Sequence, residues 1–338
     1  MSYAYPDTPF LQIRCESFGP AALPPVPPLE ECVFPRDMKK RMDAVIERHL
    51  RLRDARAAIK DDSIDCLKPF LGIAEHSCFL GGKVTYGGNT SYQTPVLKDL
   101  SRWRELKPDE NHPHYRLLLD CMEYLRLKSS QYGFYVSLRG FDSPLDIANA
   151  VRGNDLLYDL YDDPETAADF IGFCAESCLW TYERQMRFAS PVEGGVLSGF
   201  GQWMPGKAIG HLSEDASVLM SPAMYERFGL PALKKLLSHF DFAQLHVHAM
   251  GRALLPVFCG LDKIRIIQIS DDPNQPSAME IYRAYADTLS GVIVQLDLSA
   301  RALTENLPFL RTRRTIVNLT ADSPDEARRI LDLAKSVE

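Results

Sequence analysis

From about residue 134 the chain repeats one pattern: a short apolar run, a few polar residues, then an amphipathic stretch. The runs are FYVSL, GGVLSG, QLHVH, RIIQI, VIVQL and TIVNL, centred near residues 136, 197, 246, 267, 294 and 317. Their β-branched content and length predict buried strands, and the 20 to 30 residues between the late ones predict βα units on a parallel sheet. Ser143-Pro144, Asp163-Pro164, Ser221-Pro222 and Ser323-Pro324 each place a capping side chain before a proline, which predicts helix starts. Ser277 with Glu280 and Ser323 with Glu326 have capping-box spacing. Earlier, Met42, Val45, Ile46 and Leu50 predict a helix within 35–60, and Tyr115, Leu118, Leu119, Met122 and Leu125 predict a second. Between 61 and 94 the text is loop- and strand-like, broken by Gly81-Gly82 and Gly87-Gly88. Residues 1–35 hold eight prolines and predict an extended arm. The expectation is an α/β fold: a proline-rich arm over 1–35, then a single (β/α)8 TIM barrel over 36–338.

Side chains alternate along a strand, so Gln244, His246 and His248 share one face while Leu245 and Val247 share the other. Gln268 and Ser270, Gln295 and Asp297, and Asn318 and Thr320 repeat this two-residue spacing at the ends of the next three runs. In a barrel these groups converge on one rim, where catalytic side chains sit. Two histidines at i and i+2 suit a shared metal ion or one anionic substrate; a hydrogen-bonded core histidine is the plainer alternative.

Composition narrows the picture. Apolar residues at 46% and charged residues at 25% of 338 are ordinary for a globular enzyme. A net charge of -7 argues against general affinity for nucleic acid or anionic membranes. No run of about 20 apolar residues predicts a membrane span. The start MSYAYPDTPF lacks a signal-peptide pattern. The eight cysteines form no C-x-x-C pair, which fits reduced thiols in the cytoplasm, with Cys174 and Cys178 as helix core.

Several motifs carry chemistry. GQWMPGKA (201–208) nearly spells a phosphate-binding loop, but Ala208 lacks the needed hydroxyl, and Trp203 and Pro205 would crowd it. Trp203 and Met204 instead suit a loop presenting a flat apolar surface to a ligand. Glu214 and Asp215 are helix-start charges or a catalytic acid with an anchor. Asp271-Asp272 is a cap or supplies a pocket acid. Arg139 can hold a carboxylate, or pair with Asp142. No serine or cysteine nucleophile signature is present.

The segments SPLDIANAVRGNDLLYDLYDDPE, EDASVLMSPAMYERFGLPALKKLL and LHVHAMG, with TSYQTPVLKDLSRWREL before them and SPDEARRIL after, resemble the uroporphyrinogen decarboxylase superfamily over about residues 40–335. The resemblance implies a (β/α)8 barrel, often a homodimer, with its site at the C-terminal face of the strands. The superfamily holds cofactor-free decarboxylases and zinc-dependent methyltransferases that work with corrinoids and thiols. The arginine-bearing N-terminal segment of the decarboxylases has no counterpart here. Their pocket aspartate falls near Gly72, their tyrosine near Asn149 and their late histidine near Leu319 or Thr320. The methyltransferase H-x-C motif reads His246-Val247-His248, and Val317-Asn318 stand where its second cysteine falls.

The leading expectation is therefore a cytoplasmic methyltransferase-like enzyme acting with a corrinoid protein or a methylated small molecule. His246 and His248 would bind metal, zinc or another first-row ion, or polarise substrate, with Glu214, Asp215 and Asp271 as acid/base groups. Arg139, Asp142, Asn149, Trp203, Met204, Gln268, Asp297 and Asn318 would line the substrate. The alternatives are a metal-free decarboxylase of a tetrapyrrole or other carboxylate, and a non-catalytic tetrapyrrole- or corrinoid-binding protein.

Overall fold

The computed structural model describes residues 9–14 and 23–336. In chain order the first elements are β1 (Phe10–Arg14), α1 (Met38–Ala55), β2 (Cys66–Leu67), β3 (Val84–Gly87), β4 (Thr90–Gln93) and α2 (Pro113–Tyr132). Next come β5 (Tyr135–Val136), β6 (Phe141–Asp142), α3 (Pro144–Arg152), α4 (Asp155–Asp162), α5 (Pro164–Gln185), β7 (Gly195–Leu197), β8 (Trp203–Pro205) and β9 (Ala208–Ser213). The last third holds α6 (Pro222–Leu237), β10 (Phe242–His248), α7 (Leu255–Cys259), β11 (Ile264–Ser270) and α8 (Ala278–Ala284). It closes with β12 (Ile293–Asp297), α9 (Ala300–Leu310), β13 (Thr315–Thr320) and α10 (Pro324–Lys335).

The architecture is mixed α/β around a parallel sheet of seven strands in the order β1-β13-β12-β11-β10-β9-β6. Three two-stranded pairs accompany it: β2 with β5, β3 with β4, and β7 with β8. The chain forms two compact units whose boundary falls inside β10, between Leu245 and His246.

The first unit comprises, among described residues, 9–14, 23–26, 44–65 and 246–336. Its strands β11, β12 and β13 are the βα repeat legible in the sequence. Ile267, Val294, Leu296 and Val317 are fully buried, each stabilising the fold by roughly 1.5–3 kcal/mol. Residues 10–14, inside the stretch expected to be an arm, are a strand paired in parallel with β13, Phe10 opposite Ile316 and Arg14 opposite Thr320. Aspartates take the place of a further strand beside it: Asp62 accepts from the Leu11 N–H at 2.9 Å and Asp61 from the Ile13 N–H at 2.7 Å. Carboxylates that occupy an edge in this way block pairing with other chains.

The second unit comprises 27–43 and 66–245. Its core is the apolar face of α2 (Leu118, Leu119, Met122) and of α5 (Phe170, Cys174, Cys178). The predicted caps are present. Ser143, Asp163 and Ser221 each accept from the backbone N–H three residues on. In the first unit Ser277 and Glu280 form the full capping box, whereas Glu326 reaches the Asp322 N–H rather than that of the cap residue Ser323.

Trp203 and Met204, expected on a loop, stand on β8, and β9 follows where the hydrophobic pattern marks no strand. Two features hide β9. Gly210 sits so close to Ser198, the residue after β7, that a Cβ there would lie 2.3 Å from its side chain, and His211 has a φ of 56° that breaks the alternation. No helix of the described residues is long and apolar enough to cross a membrane.

Candidate functional site

In the first unit the polar residues at the strand ends meet. The His246 and His248 rings lie 5.1 Å apart at 84°. His246 Nδ1 bonds to the Gln268 Oε1 of β11. The Gln268 amide nitrogen in turn donates to Ser270 Oγ and to Asp297 Oδ2, each at 3.3 Å. Asp297 ends β12 and is paired with Arg14 of β1 at 3.2 Å; both are half exposed, so the pair itself contributes little. His248 Nδ1 lies 2.6 Å from Asp272 Oδ1, and Asp272 Oδ2 accepts from the Met250 N–H at 2.8 Å. Asn318 is buried on β13, opposite Asp297 in register.

Of the adjacent aspartates, Asp271 accepts from the Ala278 N–H at 2.6 Å and so serves the start of α8. Asp272 is the one that reaches a histidine. The expectation named Asp271 as the acid/base group; the turn after β11 gives Asp271 to the start of α8 and Asp272 to His248.

In the second unit acidic residues gather where β6 and β9 end, Asp142 standing opposite Ser213 in the ladder. Glu214 is buried, accepts from Tyr225 OH at 2.8 Å and also receives the Ser143 hydroxyl. Asp146 accepts from the backbone N–H of Asp215 at 2.9 Å and of Ala216 at 2.6 Å. Asp215 is exposed and accepts from Ser213 Oγ at 2.6 Å. Burial pushes Asp142 up to about 8, reinforced by the Asp215 charge. Burial likewise raises Glu214 to about 8, against the Tyr225 and Ser143 hydrogen bonds that favour its charged form.

Arg139, expected to anchor substrate or pair with Asp142, forms an ion pair with Glu75 through Nε, and its guanidinium lies 4.7 Å from the centre of the Phe70 ring. Both partners are buried, and Glu75 also accepts from the Leu71 N–H at 3.0 Å. Burial raises the Glu75 carboxyl to about 7 against the pull of Arg139 and Lys68. Beside it burial holds His76 well below the usual imidazole range. Glu75 and His76 escape sequence reasoning because no alternation assigns them a face, and Asp146 and Tyr225, on α3 and α6, because their partners lie far away in the chain. His211 escapes it as well, although a positive φ on a non-glycine residue is strained and its ring stacks on Phe200 at 4.1 Å.

Trp203 is partly exposed, whereas Met204 is buried with its sulfur against Gly210. Asn149 lies on α3 with its Nδ2 buried and unpaired.

A folded-state pKa near 8 for a glutamate means that the native protein keeps a proton which the unfolded chain releases near 4.5. Stability is therefore greatest at low pH on this account and falls as pH rises from about 4.5 to about 8. Glu214→Gln keeps an acceptor for Tyr225 and removes that titration. Urea unfolding at about pH 5 and pH 9 should show the variant losing less stability across the interval, by a few kcal/mol at about 1.4 kcal/mol per pH unit. Equal slopes in both proteins would show that Glu214 is ionised in the native state.

The fold is shared with a methyltransferase from Methanosarcina mazei. The TM-score is 0.57 at 11% identity, covering 90% of this chain and 88% of that one. A second match is the apo form of the homocysteine methyltransferase MmuM from Escherichia coli, at 12% identity over 63% of this chain and 85% of that one. Its TM-score of 0.26 is too low to argue a common arrangement. No protein-family model matches the chain, and no curated protein does.

Proposed function

We propose that the chain is a methyl-transfer enzyme with a (β/α)8 barrel of the uroporphyrinogen decarboxylase type, acting on a methylated small molecule or a corrinoid-borne methyl group. The carrying observation is the histidine pair at the end of β10, each Nδ1 bonded to an oxygen acceptor, on a fold shared with a methyltransferase. Segments 141–164 and 211–250, with their superfamily resemblance, support the same reading, as does the barrel-type repeat of strands β10 to β13.

Histidines that ligate metals engage their second ring nitrogen with a carboxylate or carbonyl, and both histidines here do so. The donor set thus fits a first-row ion such as zinc, which His246 and His248 would hold. When bound, such an ion supplies Lewis-acid activation of a thiol or similar nucleophile. The protein's own part is to hold the two rings: Gln268 and Asp272 fix their planes, and Asp297 fixes Gln268.

The test combines elemental analysis after native purification with transfer of the methyl group of methylcobalamin to a thiol, followed by absorbance. The expected result is about one equivalent of metal, transfer by the wild type, and at least a hundredfold loss in His246→Ala and His248→Ala. A metal-free protein that takes up none on titration would remove the metal, and equal rates in the variants would remove the site.

A second reading has a specific observation behind it. Asp142 and Glu214 stand at the ends of neighbouring strands, and burial raises both carboxyls to about 8, a direction that suits general-acid work. In a decarboxylation the C–C bond breaks, its electron pair stays on carbon, and such an acid supplies the proton. Release of carbon dioxide from a carboxylated tetrapyrrole, abolished in Asp142→Asn, would favour this reading over methyl transfer.

A further inference from the structure

The hydrogen bonds of the first unit fix more than the positions of the two imidazoles. Asp297 is a carboxylate and can only accept, so the Gln268 group facing it at 3.3 Å must be the NH2. That orientation turns the Gln268 carbonyl oxygen, again only an acceptor, toward His246 Nδ1. His246 Nδ1 must therefore carry the hydrogen. Asp272 imposes the same result on His248 directly, at 2.6 Å, and is itself held by the Met250 N–H. Gln268 is buried, so water does not compete for its amide.

We propose that Asp297, Gln268 and Asp272 are positioning residues that lock both His246 and His248 as Nδ1–H tautomers, so that both rings offer the Nε2 lone pair to one divalent cation. The proposal rests on the metal reading given above and deepens it by assigning the ligating atoms and the residues that select them. Arg14 lies at the far end of the chain, 3.2 Å from Asp297, and being half exposed adds little to it. The two histidines are thus set by different devices, an amide relay through β11 and β12 for one and a single carboxylate for the other. Substitutions should therefore separate them.

The first experiment needs neither substrate nor metal. Protein labelled with 15N at histidine, stripped of metal and held at about pH 9 where imidazole is neutral, is examined by long-range proton–nitrogen correlation. The wild type should show protonated Nδ1 and unprotonated Nε2 for both rings. In Asp297→Ala the Gln268 amide is free to turn, and His246 should become a mixture of tautomers while His248 is unchanged. Asp272→Ala should affect His248 alone. An Nε2–H tautomer at either ring in the wild type, or an unaltered His246 in Asp297→Ala, would overturn the proposal. The second experiment titrates the same proteins with Co2+ and reads its visible absorption. Both variants should bind 10- to 100-fold more weakly than the wild type, with unchanged circular dichroism. Equal affinities would overturn the positioning role. No Co2+ uptake by the wild type would overturn the metal reading itself, whichever tautomers are found.

Discussion

Replacing Arg139 by alanine is expected to lower stability by about 3–5 kcal/mol at alkaline pH, because it leaves the Glu75 carboxylate buried without its counter-charge. The loss should depend on pH in a defined direction. Glu75 already titrates near 7 in the folded chain, above an unfolded value near 4.5, so its charged form opposes folding between those limits and beyond. Without Arg139 that range widens upward. Below about pH 5.5 the carboxyl is neutral in either protein, and only the packing of the guanidinium on Phe70 is lost. Urea denaturation at about pH 5.5 and pH 8.5 measures the difference, and the double variant Arg139→Ala/Glu75→Gln should recover most of the alkaline loss. A loss of the same size at both pH values would show that the ion pair contributes through shape alone. Because Arg139 is committed to Glu75, the ion pair also explains why a carboxylate-anchoring role is not needed to account for a buried arginine at this position.

Gly72→Ala is expected to be as severe, above about 4 kcal/mol, and to prevent folding at physiological temperature. The residue has a φ of 94°, and a Cβ on it would lie 2.0 Å from the Ser91 nitrogen and 2.7 Å from the Thr90 carbonyl carbon. Both obstacles are backbone of β4, so no rotamer change relieves them. Gly81 provides the control: its φ is 105°, but nothing lies within 4 Å of its Cβ, and Gly81→Ala should cost only the local strain of about 1–2 kcal/mol. Thermal melts of the two variants should differ by about 5 °C or more, and similar melting points would mean that β4 can move aside. Gly72 is also where the pocket aspartate of the decarboxylases falls by resemblance. The close approach of β4 leaves no room for that side chain, so Gly72→Asp should disrupt the fold rather than confer decarboxylation.

Both expectations depend on residues that the hydrophobic pattern leaves blank, and this separates what is legible in the chain from what is not. The βα repeat from β10 to β13 is carried by local signals. Alternating apolar residues, a serine or aspartate cap and a following proline are satisfied within a few residues, so sequence spacing suffices to find them. The alternation also places His246, His248, Gln268 and Asp297 on one side of their strands, because side-chain direction in a strand follows from backbone geometry. The short strands β2 and β6 carry too few residues to show a period, whereas the runs FYVSL and GGVLSG mark β5 and β7. In β9 the positive φ of His211 interrupts the period that is there.

The sequence by itself thus determined the α/β class with its parallel sheet, the helix starts and the set of strand-end residues from which a site is drawn. Only the tertiary structure decided which of them work together: Asp272 rather than Asp271 beside His248, Glu75 rather than Asp142 beside Arg139, and a strand at Phe10–Arg14 where prolines suggested an arm. The physical reason is range. Periodicity and capping are set by neighbours three or four residues away, whereas an ion pair or a buried carboxylate depends on groups dozens of residues apart, brought within 3 Å by the packing of whole strands and helices.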